Sequence, residues 1–361
     1  MKDNFAVIMA GGIGSRFWPM SKSSYPKQFH DVLGTGRTLI QMTFDRFKDI
    51  CPVENILIVT NEDYKNLILK QLPEIKESQV LCEPSRRNTA PCIAYACYKI
   101  KAINEKANIV VAPSDHLILK ENVFTECIHS AIVQSNKNNS LITLGIKPSR
   151  PDTGYGYIQF RDDSDSSHST IKKVKTFTEK PHLDLAKQFL NSGDFYWNSG
   201  IFIWTVDSII EAFEKHLPEV AKLFKEGEAS YHTPDEAVFI NKIYPVCKNV
   251  SIDYGIMEKA ENVYVVLSDF GWSDLGTWGS LYTHVEHDSD SNAVIGNDVM
   301  MYDSKSNMVK MPDDKLVVIQ GLYDYIVVES DGTLLICKKQ DEQKIKQFVN
   351  DIKTSKGEKF V

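Results

Sequence analysis

The sequence predicts an α/β protein with a doubly wound, mostly parallel Rossmann-like sheet and a smaller β-rich domain behind it. Three observations predict this fold: short apolar β-branched runs, helical spacing between those runs, and a change in the residue pattern near residue 288. Near-continuous apolar runs are typical of strands buried on both faces of a parallel sheet. When such strands alternate with helices, ligands bind beyond the carboxyl ends of the strands.

The alternating elements fill the first part of the chain. Apolar runs predict strands at 6–9, 55–60, 108–112 and 140–144. Helical spacing predicts helices at 39–47, 64–72, 90–101 and 124–134. The runs 155–160 and 171–177 flank a polar segment, 162–169, and predict a hairpin with an exposed tip. Further helices are predicted at 183–191, 206–215 and 218–226, and a further strand at 263–267.

The last part of the chain has a different pattern. Between 292 and 337 short apolar runs follow one another, with Gly, Asn and Asp at the corners, and a helix is predicted at 341–353. We therefore expect two domains, a large one at 1–288 and a small β-rich, β-helix-like one at 289–361.

Composition excludes several classes of protein. The 361 residues carry 41 Lys and Arg against 48 Asp and Glu, a net charge of −7, which argues against a nonspecific nucleic-acid binder. No apolar run approaches the roughly 20 residues of a membrane span. The seven cysteines are scattered without C-x-x-C spacing, which favours free thiols in a cytoplasmic protein.

The strongest local signal is the glycine-rich loop after the first strand, Ala10-Gly-Gly-Ile-Gly-Ser-Arg. Gly11, Gly12 and Gly14 let the backbone approach a ligand closely, and Arg16 offers a donor fork for phosphate oxygens. A dinucleotide fingerprint starting at Gly12 would need glycine at position 17, and the P-loop spacing also fails. The structural alternative is a tight strand–helix turn.

Further strings follow along nearly the whole chain: Trp18-Pro-x-Ser, Pro26-Lys-Gln-Phe, Glu83-Pro-Ser-Arg-Arg-Asn-Thr-Ala-Pro, Pro113-Ser-Asp-His, Gly154-Tyr-Gly-Tyr-Ile, Phe177-Thr-Glu-Lys-Pro, Trp197-Asn-Ser-Gly-Ile-Phe, Ser251-Ile-Asp-Tyr-Gly-Ile-Met-Glu-Lys and Trp272-Ser-Asp-Leu-Gly-Thr-Trp. Together with the glycine-rich loop, these strings resemble the sugar-phosphate nucleotidylyltransferases, and among them the mannose-1-phosphate guanylyltransferase family. Each string alone is weak, and their order along one chain makes the resemblance specific.

The resemblance implies a role for each matching residue. Asp115 and Asp274 would hold Mg²⁺, whose octahedron phosphate oxygens and waters complete. The implied catalytic cations are Arg16, Lys27 and Lys180. The implied nucleotide-binding residues are Gly11, Gly12, Gly14, Ser15, Arg16, Lys27, Glu83, Arg87, Asn88 and Thr89. The implied sugar-phosphate-binding residues are Gly156, Glu179, Lys180, Asn198 and Asp253.

Each of these residues also has a structural alternative. A lone aspartate is most often a turn or helix cap, Asn88 or Thr89 can cap the helix that follows, and Lys27 alone would be taken as a surface lysine.

The implied reaction is Mg²⁺-dependent transfer of GMP from GTP to α-D-mannose 1-phosphate, by direct in-line attack, giving GDP-mannose and pyrophosphate. Another NTP:hexose-1-phosphate enzyme, thymidylyl or uridylyl, is the alternative within the same chemistry. A non-catalytic regulatory subunit that binds sugar nucleotide is the alternative from another class. Some relatives continue into a phosphomannose isomerase domain, and a sequence ending at Val361 predicts the transferase activity alone. The oligomeric state stays open, with a homodimer as one option.

Overall fold

The computed structural model describes residues 1–161 and 170–361, so the predicted hairpin tip at 162–169 lies outside the described residues. The chain forms two compact units. The first contains residues 1–11, 43–114 and 118–272, and the second contains residues 12–42, 115–117 and 273–361. The predicted domain boundary at 288 stays a prediction, since these units are discontinuous along the chain.

Strands and helices alternate along the first part of the chain. The strands are β1 (Asn4–Met9), β2 (Ile56–Asn61), β3 (Val80–Glu83), β4 (Asn108–Pro113), β5 (Leu117–Ile118), β6 (Leu141–Ile146), β7 (Tyr157–Phe160), β8 (Ile171–Thr178), β9 (Phe195–Thr205), β10 (Val263–Ser268) and β11 (Trp272–Ser273). The helices are α1 (Leu39–Phe47), α2 (Lys65–Gln71), α3 (Thr89–Lys101), α4 (Glu121–Asn138), α5 (Leu183–Ser192), α6 (Val206–His216), α7 (Pro218–Lys225) and α8 (Glu236–Ile243).

The first unit is built on a nine-stranded sheet of order β3-β2-β1-β4-β9-β6-β10-β8-β7. β1 pairs in parallel with β2 and β4, and β6 pairs in parallel with β10. Phe5 and Val7 pack into one apolar cluster with Ile93 of α3, while Ala6 and Ile8 of the same strand are also fully buried. Burial on both faces explains the continuous apolar run, and the predicted doubly wound fold is confirmed.

One long strand was not among the predicted elements. β9 runs antiparallel between β4 and β6 in the middle of the sheet. Its sequence, Phe-Tyr-Trp-Asn-Ser-Gly-Ile-Phe-Ile-Trp-Thr, carries Asn198, Ser199 and Gly200 at its centre, which interrupts the apolar pattern that signals a strand. The interruption brings a polar side chain into the sheet, where Asn198 is buried.

The second unit joins the segment after β1 to the C-terminal part of the chain. Its elements are α9 (Trp278–Tyr282), β12 (Ala293–Ile295), β13 (Val299–Tyr302), β14 (Met308–Lys310), β15 (Val317–Gln320), β16 (Tyr325–Ser330), β17 (Thr333–Lys338) and α10 (Ile345–Lys356). β12, β14, β16 and β17 form one sheet, and β13 and β15 form another. The predicted β-rich part is therefore confirmed.

Aromatic packing ties the segment 12–42 to the C-terminal elements. The rings of Phe17 and Trp278 are 4.7 Å apart between centroids. Trp278 Nε1 donates to the Trp18 carbonyl at 3.2 Å, and Trp18 Nε1 donates to the Phe360 carbonyl at 2.7 Å. The loop that follows β1 is thus fixed by residues far along the chain.

All seven cysteines are free, as predicted, and five of them are buried. Among the described residues, no helix combines the length and the apolar character needed to cross a membrane.

Candidate active site

The glycine-rich loop begins one residue after β1 ends at Met9. Gly14 has φ +67°, and a Cβ there would lie 2.7 Å from Lys27 Cβ, so both backbone conformation and packing require glycine. A Cβ on Gly11 would lie 3.3 Å from Glu83 Oε2. A Cβ on Gly12 would meet no described atom within 4 Å, so packing does not explain the glycine at that position.

Two residues of the loop present donors close to these glycines. Ser15 begins a 3₁₀ turn that ends at Phe17. Arg16 lies in the same turn, half-buried, and within the described part of the chain its guanidinium makes no hydrogen bond or ion pair. An unpaired guanidinium beside open glycine backbone is an arrangement that suits a phosphate group.

Lys27 is placed differently from the surface lysine that its sequence context alone would favour. It is 3% exposed, and its Nζ lies 2.8 Å from Asp115 Oδ2. The same Nζ donates to the backbone carbonyls of Asp274 and Leu275, each at 2.9 Å. The ammonium has three donors, and all three are directed at protein oxygens. Lys27 therefore contacts the side chain of Asp115 and the backbone of Asp274 at the same time.

The two predicted metal ligands both follow strands. Asp115 stands two residues after β4, and Asp274 directly follows β11. Burial alone would raise the pKa of Asp115, and the neighbouring Lys27 and His116 lower it below its usual value. Asp274 accepts from the Gly276 amide at 3.0 Å, and this contact fixes its carboxylate. Asp115 stays ionised, as a metal ligand must.

The donor set fits a divalent cation that is shared with a substrate. Across residues 1–161 and 170–361, no cluster of three or more His, Cys, Asp or Glu side chains is arranged to hold a metal. A pair of carboxylates fills only part of the octahedron of such a cation and leaves the other positions to phosphate oxygens and water. The predicted pair is therefore suited to a substrate-bound cation rather than to a closed structural site.

The predicted sugar-phosphate residues form a cluster in the first unit. Asn198 Nδ2 donates to Asp253 Oδ1 at 2.8 Å. The Lys180 ammonium donates to Glu179 Oε1. A Cβ on Gly156 would lie 2.4 Å from Glu179 Oε2, so only glycine leaves room for that carboxylate. All five predicted residues therefore come together.

The electrostatics of this cluster are unusual for carboxylates. Burial, followed by the neighbouring charge of Glu179, raises the pKa of Asp253 to about 6. Burial would lower the pKa of Lys180, but its hydrogen bond and charge interaction with Glu179 raise it instead. Asp253 can thus carry a proton near neutral pH while Lys180 remains a cation. Together they can meet both hydroxyl and phosphate groups of a ligand.

The predicted purine-binding segment precedes α3. Asn88, at φ +66°, caps that helix by accepting from the Thr89 amide at 2.9 Å. Thr89 Oγ1 accepts from the Ile252 amide, also at 2.9 Å. Both residues therefore make the kind of local structural contact that was the alternative to a role in nucleotide binding. Arg87 retains a buried Nε without a partner among the described residues, and Ser85 retains a buried Oγ in the same state.

Glu83 is the buried acid of this segment. Tyr244 donates its hydroxyl proton to Glu83 Oε1, and burial raises the pKa of Glu83 above its usual value. Neither the sequence pattern nor a motif pointed to Tyr244, which lies 161 residues away.

Two further supporting residues lie beside the sugar-phosphate cluster. Thr143 Oγ1 donates to Asn198 Oδ1 at 2.8 Å and so fixes the orientation of the amide. Glu258 Oε1 accepts from the Glu179 amide at 3.2 Å. Thr143 lay inside an apolar run and gave no signal, whereas Glu258 belongs to a quoted family string.

Comparisons with known proteins find related families along nearly the whole chain. Residues 5–291 match the nucleotidyl transferase family model, and residues 284–352 match the mannose-phosphate isomerase/GMP-like β-helix domain model. A mannose-1-phosphate guanylyltransferase of Escherichia coli is 33% identical over 355 residues, covering 97% of this chain and 75% of the relative. A mannose-1-phosphate guanylyltransferase of Salmonella montevideo is 35% identical over 353 residues, with 96% and 73% covered.

A solved structure from Thermus thermophilus, described as a mannose-1-phosphate geranyltransferase, superimposes with a TM-score of 0.86 at 28% identity. The match covers 97% of this chain and 99% of that one. Family model, full-length relatives and fold agree: the chain belongs to the nucleotidyl transferases, within the mannose-1-phosphate guanylyltransferase family.

Proposed function

We propose that this enzyme transfers GMP from GTP to α-D-mannose 1-phosphate, releasing pyrophosphate and forming GDP-mannose. The observation that carries the proposal is the 33% identity to a mannose-1-phosphate guanylyltransferase over 97% of the chain. The arrangement of the predicted residues supports it, because the chemistry needs a cation site for phosphates and a polar site for a sugar phosphate. The residues proposed for each of these two sites are described above.

The reaction requires no enzyme nucleophile. An oxygen of the sugar phosphate, already anionic at neutral pH, attacks the α-phosphorus of the nucleotide. A new P–O bond forms, the bond to the bridging α,β-oxygen breaks, and pyrophosphate leaves with the electron pair. Catalysis of such a step rests on positioning and on neutralising charge.

The residues take the following roles in the proposal. Arg16 neutralises nucleotide phosphates from the loop of Gly11, Gly12, Gly14 and Ser15. Lys180 neutralises the sugar phosphate, while Glu179 and Asn198 bind sugar hydroxyls. Asp115 and Asp274 hold Mg²⁺, which supplies charge neutralisation at the phosphates when it is bound.

Guanine recognition belongs to the segment before α3. The N1–H and amino group of guanine are donors that a buried carboxylate can accept, and Glu83 is such a carboxylate. Arg87 Nε and Ser85 Oγ are unpaired with any described residue and can serve the remaining base edge. The base specificity proposed here depends on these groups.

Pyrophosphate release from a grid of nucleoside triphosphates and sugar 1-phosphates tests the proposal. We expect turnover with GTP and mannose 1-phosphate to exceed every other pair. Preference for dTTP or UTP with glucose 1-phosphate would replace it with the thymidylyl or uridylyl alternative. Tight binding of GDP-mannose without any turnover would replace it with a regulatory subunit.

Oligomeric state and location form a second part of the proposal. Met300, Tyr302 and Val318 are exposed apolar side chains on β13 and β15, which supports association of two copies. Free cysteines support a reducing, cytoplasmic compartment. Light scattering coupled to gel filtration tests the homodimer.

A further inference from the structure

The Lys27 ammonium is paired with Asp115, one of the two predicted metal ligands. Its nitrogen is 2.8 Å from Asp115 Oδ2 and is held from the other side by the carbonyls of Asp274 and Leu275. The ring of Phe17 lies 5.3 Å away, and the side chain is almost completely buried. A phosphate ligand cannot take any of the three ammonium protons while these contacts persist.

A metal ion held by Asp115 and this ammonium compete for the same carboxylate. Both are cations, so a divalent ion on Asp115 weakens the attraction that holds Lys27 there and repels the ammonium directly. Lysine also has a flexible four-carbon stem, which can move its charge without a backbone change. The ion pair with Asp115 is therefore one that metal binding breaks.

The stem of Lys27 shows where the released charge would be. A Cβ added to Gly14 would lie 2.7 Å from Lys27 Cβ and 3.5 Å from Lys27 Cδ. The aliphatic part of Lys27 therefore runs along the glycine-rich loop. An ammonium that leaves Asp115 stays beside that loop. It is then close to the backbone that the proposed function gives to the nucleotide phosphates.

We propose that Lys27 is the resident counter-ion of Asp115, that a divalent cation displaces it, and that only then does Lys27 contact the substrate phosphates. This inference rests on the proposed function and adds an order to it: the cation binds before the lysine takes part. The competing interpretation is that Lys27 is a positioning residue, which keeps its contacts with Asp115 and Asp274 when the metal is bound.

Metal affinity separates the two interpretations, because they predict opposite changes. Mn²⁺ binding to the full chain without nucleotide is measured by calorimetry for wild type and Lys27→Met. Displacement predicts that Lys27→Met binds Mn²⁺ about tenfold more tightly or better, since the competing cation is gone. A permanent positioning role predicts that Lys27→Met binds Mn²⁺ more weakly than wild type, and that result overturns the inference.

Three variants serve as controls. Lys27→Arg retains the positive charge and should bind Mn²⁺ as weakly as wild type. Lys22→Met removes a lysine of the same segment whose ion pair is with Asp331, and it should leave Mn²⁺ affinity unchanged. Asp115→Asn should lose Mn²⁺ binding. If it binds like wild type, the proposed metal site itself fails, whereas weaker binding by Lys27→Met alone overturns only the inference.

A second measurement covers the case in which Lys27→Met does not fold. Amine labelling of the wild-type protein, read by mass spectrometry of the peptide that contains Lys27, is compared without metal and with Mn²⁺. We expect Lys27 to be protected without metal and to react at least about tenfold faster with Mn²⁺. Equal protection in both states overturns the inference.

Discussion

Asn198 and Asp253 are joined by a hydrogen bond of 2.8 Å between the amide nitrogen of the first and a carboxylate oxygen of the second. Thr143 fixes the other end of the amide, so Asn198 must present its nitrogen to Asp253. The bond favours the charged carboxylate, but burial and Glu179 oppose that charge more strongly. Asp253 is therefore an acid that the fold holds at an energetic cost.

Replacing Asp253 by Asn should stabilise the protein above pH 6. The pKa of Asp253 is raised from 3.8 to about 6 in the folded state, so its charge destabilises the fold. As pH rises from about 4 to 6, the unfolded chain releases this proton first, and the free energy of unfolding falls. Above pH 6 the variant should be more stable by on the order of 2 kcal/mol, measured by urea unfolding.

The pH dependence is the decisive part of this measurement. The advantage of Asp253→Asn over wild type should vanish near pH 4 and grow towards pH 6. Asp207→Asn, a change at an exposed aspartate on α6, should alter the free energy by less than about 0.5 kcal/mol throughout. A stability difference for Asp253→Asn that is constant with pH would contradict the argument.

Lys180→Ala should impair the use of the sugar phosphate and leave nucleotide binding intact. The side chain of Lys180 is exposed, but its partner Glu179 is almost completely buried, so the loss of the ammonium should also lower the free energy of unfolding. We expect KM for mannose 1-phosphate to rise by about tenfold or more, with KM for GTP unchanged. Steady-state kinetics with each substrate varied in turn provide both values.

Lys187→Ala is the matched control for this change. Lys187 is an equally exposed lysine on α5, paired with Asp184. Its loss should change neither KM. An effect of Lys180→Ala that appeared only in the KM for GTP would remove Lys180 from the sugar-phosphate site.

Much of the fold could be predicted from the sequence because strands buried on both faces appear as continuous apolar runs. β1 and β4 are apolar throughout, and they form where the apolar runs predicted them. β9 was not predicted because Asn198 and its neighbours interrupt the apolar pattern at the centre of the strand. A rule based on apolar burial fails where buried polar residues lie inside a strand.

The members of the candidate site stay predictions from the sequence, and the sequence did not predict their contacts. The family strings named Lys27 and Asp274, but 247 positions separate them along the chain. Nothing local in Pro26-Lys-Gln-Phe indicates that this lysine is buried against that carbonyl. Likewise, the second unit gathers residues 12–42 with the C-terminal segment, which no pattern of composition could indicate.

Asp274→Ala should abolish divalent-dependent turnover while the protein still folds. Its carboxylate accepts the Gly276 amide, so its removal should lower the free energy of unfolding by about 1 kcal/mol. The rate of pyrophosphate release should fall by at least about a thousandfold. Asp269→Ala, at an exposed aspartate paired with Lys120, should retain full activity. A wild-type rate for Asp274→Ala would exclude it as a metal ligand.

Gly12 and Gly14 should respond in opposite ways to the same substitution, although they stand only two positions apart. Gly14→Ala places a side chain at φ +67° and within 2.7 Å of Lys27 Cβ, so the free energy of unfolding should fall by about 2 kcal/mol. Gly12→Ala meets no described atom within 4 Å, so it should leave the free energy of unfolding within about 0.5 kcal/mol of wild type.

The cost of Gly12→Ala should appear in nucleotide binding instead. If the loop amides approach the phosphates, the added methyl group occupies the space that the nucleotide needs, and KM for GTP should rise at least about tenfold. Chemical unfolding and steady-state kinetics on both variants give the comparison. A stable Gly12→Ala variant with a normal KM for GTP would mean that the loop is only the tight turn that its glycines also permit, and that the phosphates bind elsewhere.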